Sequence, residues 1–164
     1  MFKVKDIKTE EIITVLDTYC DGYGKTWFLI WNDKWVWRAA EKYCPPNYTP
    51  KFKTIIAGSR SFVNYQRLCE ALDKYKNSIS EVVCGEAKGV DTLGKNWAIY
   101  NDIPVKSFPA DWQKYGESAG MIRNQQMGLY ADRLIAFWDG KSTGTQHMIQ
   151  YMKNNNKEVI VVNI

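Results

Sequence analysis

The chain has 164 residues, enough for one full domain and a small appendage, and its 45% hydrophobic and 24% charged residues exclude a disordered or fibrous protein. A net charge of +4 is compatible with nucleotides or nucleic acid and diagnostic of neither. No apolar run approaches the roughly 20 residues of a membrane helix, and the start MFKVKDIKTEE is too charged for a signal peptide. Cys20, Cys44, Cys69 and Cys84, with the single His147, lack metal-ligand spacing, so the expectation is a reduced, cytoplasmic protein with no metal or other cofactor.

Residues 1–51 differ in character from the remainder of the chain. Thr9 is placed to cap a short helix with apolar positions Ile12, Ile13, Leu16 and Tyr19. KTWFLIW, a turn at Asn32-Asp33-Lys34, and WVWR then predict an aromatic-rich β-hairpin. Such a hairpin is either an extra structural layer or a partner surface, and homo-oligomerisation is one use for it. Cys44-Pro45-Pro46-Asn47-Tyr48-Thr49-Pro50 reads as a stiff linker that ends this extension near residue 50.

From residue 52 onward short apolar runs alternate with helical patterns. TIIAG leads to a helix over 64–77, EVVCG to one over 91–101, PVKSF to one over 117–130, RLIAFW to one over 144–154, and EVIVVNI closes the chain. Five strands alternating with four helices predict an α/β fold: a Rossmann-like, doubly wound, mainly parallel sheet, with the small N-terminal α+β extension appended.

The unusual residues sit just after the strands, where open α/β sheets collect ligands. Gly58, Ser59 and Arg60 come after the first strand, and the hydroxyl and guanidinium suit phosphate oxygens. After the second strand come Gly85, Glu86, Ala87, Lys88, Gly89, Val90 and Asp91, where Asp91 is either a helix N-cap or a ribose contact. After the third come Ala110-Asp111-Trp112 and Tyr115-Gly116. After the fourth come Asp139, Gly140, Lys141, Ser142, Thr143, Gly144 and Thr145, small and hydroxylic residues ahead of a helix. This is not a Walker P-loop, because the G-x-x-x-x-G-K-[ST] order is absent. Arg123 and Asn124 lie on the helix before the fourth strand, near the same edge. Met121 and Met127, on that helix, read as core.

Taken together, G-S-R, G-x-A-x-G-x-D, A-D-W-x-x-Y-G, A-G-x-x-R-N-x-x-M and W-D-G-x-S-x-G-T-x-H-M resemble the YspA-like (cpYpsA-related) branch of the SLOG superfamily over residues 52–164. The resemblance implies a Rossmann-like fold that binds nucleotides or nucleotide-derived ligands, in bacteria and their phages, where members are suspected of sensing or processing nucleotide signals in defence. The chain is more distantly similar to the Lonely-guy phosphoribohydrolases. Arg123 matches their helical arginine and Gly144-Thr145 their G-T, but Gln146-His147 occupies the place of their essential glutamate. Cleavage of a glycosidic bond calls for a carboxylate, and the candidates for that duty are Glu86, Asp91 and Asp139, with Arg123 as the other catalytic candidate.

These residues support three functions, in order. The first is capture of a nucleotide or an ADP-ribose/NAD-like signal, sensed or sequestered, with phage counter-defence as one setting. The second is nucleotide N-glycoside hydrolysis. The third is binding of single-stranded nucleic acid, ranked last because no stripe of Lys or Arg interleaved with aromatics runs through residues 52–164.

Overall fold

A computed structural model describes residues 1–164, and the chain falls into two compact units, Met1–Thr49 and Pro50–Ile164. No helix is long and apolar enough to cross a membrane.

The first unit is an antiparallel meander: β1 (Phe2–Asp6), β2 (Ile12–Cys20), β3 (Thr26–Trp31), β4 (Trp35–Ala39), a 3-10 turn over Ala40–Lys42, and the two-residue β5 (Tyr43–Cys44). The strand order is β4-β3-β2-β1-β5. The aromatic hairpin is present as β3–β4, with Trp31 opposite Trp35. The helix expected after Thr9 is not: Ile12–Cys20 is a strand paired with both β1 and β3. Four consecutive β-branched residues, Ile12 to Val15, are stiff at χ1 and suit a pleated surface better than a helix. Their inward set has period two, with Ile13 half-buried and Val15 fully buried against Val4 and Ile30, while Ile12, Leu16 and Tyr19 face outward. Thr9 caps nothing. Its amide and that of Lys8 donate to Asp6 Oδ1, which closes the β1–β2 turn. The linker also begins one residue later than expected, since Cys44 pairs with Lys5 at the sheet edge before Pro45 ends the strand.

The second unit alternates strand and helix: β6 (Phe52–Gly58), α1 (Tyr65–Leu72), β7 (Ile79–Cys84), α2 (Val90–Tyr100), β8 (Val105–Ser107), α3 (Trp112–Tyr115), α4 (Ala119–Tyr130), β9 (Arg133–Trp138), α5 (Thr143–Asn154) and β10 (Glu158–Asn163). The helix expected over 64–77 stops at Leu72 and continues as a 3-10 segment to Ser78. The short α3 has no counterpart in the sequence pattern. All pairings are parallel, in the order β10-β9-β6-β7-β8.

Adjacent residues on each strand serve opposite faces. Ile56, Val82, Ile135 and Phe137 pack with Leu68, Leu72 and Trp97 of α1 and α2. Ile55, Val83, Leu134 and Ala136 pack with Met127, Met148 and Met152 of α4 and α5. Both faces are therefore covered, which is why these strands read as continuous apolar runs. The chain winds from β6 toward β8 and then returns to β9 on the other side of β6. The carboxyl ends of β6 and β9 thus flank a topological switch point, where a crevice opens.

Candidate functional site

At the switch point lies a cleft of about 460 Å³, lined by residues from the ends of β6, α2, α3, α4 and α5. Its lining gathers Gly58, Arg60, Ala87, Asp91, Arg123, Asn124, Ser142, Thr143, Gly144 and Thr145, drawn from loops up to 87 residues apart in the chain.

The floor is a buried charged pair. Arg123 on α4 and Asp91 in the first turn of α2 are 8% and 4% exposed, with Nη1 and Oδ2 3.9 Å apart. Arg123 Nη1 also donates to the carbonyl of Gly85, and its Nε is buried with no partner. Burial pushes the Asp91 carboxyl up to about 6, against the Arg123 guanidinium and the backbone amides of Ala87, Gly85 and Gly58, which hold it down. Asp91 is not the N-cap of α2, a position occupied by Gly89; it serves the floor instead. Gly85 is required here, because a Cβ would strike the Arg123 guanidinium and lie 2.7 Å from Asp91 Oδ2. Gly89, at φ +75°, brings its backbone against the carbonyls of Ser59 and Arg60, where no side chain fits.

The two loops that meet at the switch point are tied together behind the lining. Ser59 is 4% exposed. Its amide donates to the Phe137 carbonyl at 3.1 Å and its Oγ to Asp139 Oδ2 at 3.1 Å. Asp139 Oδ1 accepts from the amides of Ser142 (2.8 Å) and Lys141 (2.9 Å), and these bonds hold its carboxyl below the ordinary range. Ser59 and Asp139 therefore shape the cleft without lining it. Gly140, at φ +75°, makes the turn between Asp139 and α5.

The rim is open. Arg60 is exposed, and neither a hydrogen bond nor an ion pair holds its side chain. The first amides of α5 have no intrahelical acceptor, and no side chain caps the helix. Gly144 faces free space: a Cβ there would meet nothing within 4 Å. An uncapped helix N-terminus of this kind favours anions. Asn124 Nδ2 donates to the Gly144 carbonyl at 3.1 Å and approaches His147 Nδ1 at 3.4 Å, fixing the first turn of α5 from beside it.

Glu86 turns away from this cleft. At φ +59° it directs Oε1 to Lys95 Nζ (2.6 Å) and Ser107 Oγ (2.5 Å), and these donors keep its carboxyl below the ordinary range. A carboxylate stabilised as an anion is poorly suited to give up a proton. Residues outside the expected contact set also line the cleft, among them Trp112, 53% exposed, and Met121, 52% exposed, although apolar spacing assigns the latter to the core. Met127 is buried in the core as expected, and its side chain reaches the cleft from below. The signal for Trp112 is its position after the third strand; Met121 gives none.

The family model described as "YspA, cpYpsA-related SLOG family" matches residues 52–115. The chain is 32% identical over 108 residues to the Gene 61 protein of Mycobacterium phage D29, an alignment that covers 60% of this chain and 86% of that protein. Its fold is similar to the X-ray structure of DNA processing protein A (DprA) from Streptococcus pneumoniae, with a TM-score of 0.58 and 16% identity over 68% of this chain. The chain spans half the length of that structure.

Proposed function

Given that the chain belongs to the YspA, cpYpsA-related SLOG family, we propose that the cleft binds a nucleotide or nucleotide-derived small molecule of the ADP-ribose/NAD kind and releases it unchanged. The observation that carries this reading is the Arg123 guanidinium, which lines the cleft with only its Nη1 hydrogen-bonded to a protein oxygen, beside the uncapped, open first turn of α5. A guanidinium whose remaining donors face a cleft is completed by a phosphate oxygen, which also suits the helix N-terminus. Arg60 adds a second cation at the rim, and Trp112 a flat apolar surface for a base. Sensing or sequestering a nucleotide signal fits such a site, and the identity shared with a phage protein supports a phage setting.

A second reading, hydrolysis of an N-glycosidic bond, rests on Asp91. Its carboxyl lies at the cleft floor with its proton affinity raised to about 6, in the range where a carboxyl exchanges protons near neutral pH. Incubation with AMP, NAD and ADP-ribose, followed by chromatography, separates the two. Recovery of intact ligand from the protein fraction supports capture, whereas free base that disappears in Asp91→Asn supports hydrolysis. Retention of none of the three, alongside salt-sensitive binding of oligonucleotides, supports a nucleic-acid site instead.

A further inference from the structure

The Met1–Thr49 sheet is apolar on both faces. Val4, Val15 and Ile30 are buried on one of them. Side chains alternate across a strand, so Trp27 and Leu29 of β3 stand on the other, together with the residues paired to them: Tyr19 and Asp17 on β2, Ala39 and Trp37 on β4. Tyr19, Trp27 and Trp37 line an open pocket there of about 490 Å³. Tyr19 and Trp37 reach over β3 to meet edge to face, their centroids 6.1 Å apart and their planes at 67°. Trp27, directly across from Tyr19, makes the third wall.

Trp27 is held in place by an anion. Its Nε1 donates to Asp21 Oδ2 at 3.0 Å, while Asp21 Oδ1 accepts from the amides of Lys25 (2.9 Å) and Tyr23 (3.0 Å). The indole N–H first, and then these amides, keep the Asp21 carboxyl below the ordinary range. A carboxylate on the indole N–H polarises the ring and enriches its face in electrons. That ring already meets a cation: Lys25 Nζ lies 5.2 Å from its centroid, steadied by Glu41 at 3.4 Å. Lys25 does not line the pocket, so it leaves the space free. Asp17 adds a further carboxylate to the same face.

Ring faces with carboxylates at their margin attract a cation and repel a phosphate. Met1–Thr49 carries as many acidic as basic side chains, so no excess positive charge draws a nucleic acid to these rings. Hydration decides the kind of cation. A primary ammonium brings three N–H donors that need acceptors, and no carboxylate or side-chain amide lines the pocket. A trimethylammonium group has no donor to satisfy and leaves water more readily.

We propose that Tyr19, Trp27 and Trp37 form an aromatic cage for a small trimethylammonium compound of the choline kind, a site that belongs wholly to the Met1–Thr49 unit. It is independent of the nucleotide reading, since none of its residues lines the cleft at the strand ends.

Titration of the full chain with choline, followed by the indole N–H resonances, tests this. Choline is expected to move the signals of Trp27 and Trp37 and to leave that of the buried Trp97 in place. Two comparisons on the wild-type protein separate charge from shape. Ethanolamine, and the neutral analogue of choline with a tert-butyl group in place of trimethylammonium, should each bind at least about five-fold more weakly, the worth of a cation on exposed rings. Trp37→Ala should abolish the response, whereas Trp35→Ala, on the same face but outside the pocket, should leave the affinity unchanged. Dispersed β1–β3 amide signals show that either variant is folded. Unmoved Trp27 and Trp37 signals, equal binding of the neutral analogue, or full affinity in a folded Trp37→Ala overturns the cage. An oligoproline or an oligonucleotide that shifts these indoles at lower concentration than choline overturns it too and assigns the face to that ligand.

Discussion

The floor and the rim of the cleft are built on opposite principles. On the floor, Arg123 and Asp91 are almost wholly buried, held by Gly85 and backbone amides, and one buried donor is left without a partner. At the rim, Arg60, Trp112, Thr143 and Gly144 are open to solvent, and no protein group holds the Arg60 side chain. Burying charge costs folding free energy, and within the cleft that cost is met only on the floor. The floor should therefore couple binding to stability, while the rim should affect binding alone.

The largest effect is expected from Arg123→Ala. It leaves Asp91 buried and unpaired, which should destabilise the fold by about 3–5 kcal/mol in urea unfolding at neutral pH and abolish ligand binding. A stability unchanged from wild type would break the distinction between floor and rim at once.

Asp91 gives the floor a pH signature. Its folded carboxyl sits at about 6 and its unfolded one at the ordinary value of about 3.9, so between those values the folded state holds the extra proton. Stability is then greatest below about pH 4 and falls as pH rises through the window to 6. The total is about 3 kcal/mol, from roughly two pKa units at 1.36 kcal/mol each. Asp91→Asn should flatten that slope, as read from urea midpoints across pH. A slope that persists in the variant would assign it to another group.

At the rim, Arg60→Ala should weaken a phosphate-bearing ligand by about 1.5–3 kcal/mol, the range for hydrogen bonds to charged groups, with the thermal midpoint unmoved. Trp112→Ala should cost about 0.5–1.5 kcal/mol of binding, the worth of one aromatic stack, again without loss of stability. A drop in melting temperature for either variant would place it with the floor.

The parallel unit is legible in the sequence because buried parallel strands are short, continuous apolar runs set off by turn residues, as in TIIAG and RLIAFW. The first unit misleads at one element. Ile12, Ile13, Leu16 and Tyr19 have helical spacing, and only the β-branched run and pairing with two distant strands make β2 a strand. Spacing is visible locally; pairing is not. The same limit applies to the site. Each loop's position after a strand is legible, but the bond from Ser59 to Asp139 spans 80 residues and turns an expected ligand contact into a structural tie. Glu86 looks available in the sequence, whereas in the fold Lys95 and Ser107 hold it. Met121 enters the cleft on the exposed side of α4, although apolar spacing assigns it to the core.

Amide hydrogen exchange with and without saturating ADP-ribose tests the central claim most directly, because it reports both where the ligand sits and which region responds. The account predicts slowed exchange at Ser59–Arg60, Ala87–Asp91 and Thr143–Thr145, and none across Met1–Thr49. Unchanged exchange in those three loops, or protection confined to Met1–Thr49, would contradict it.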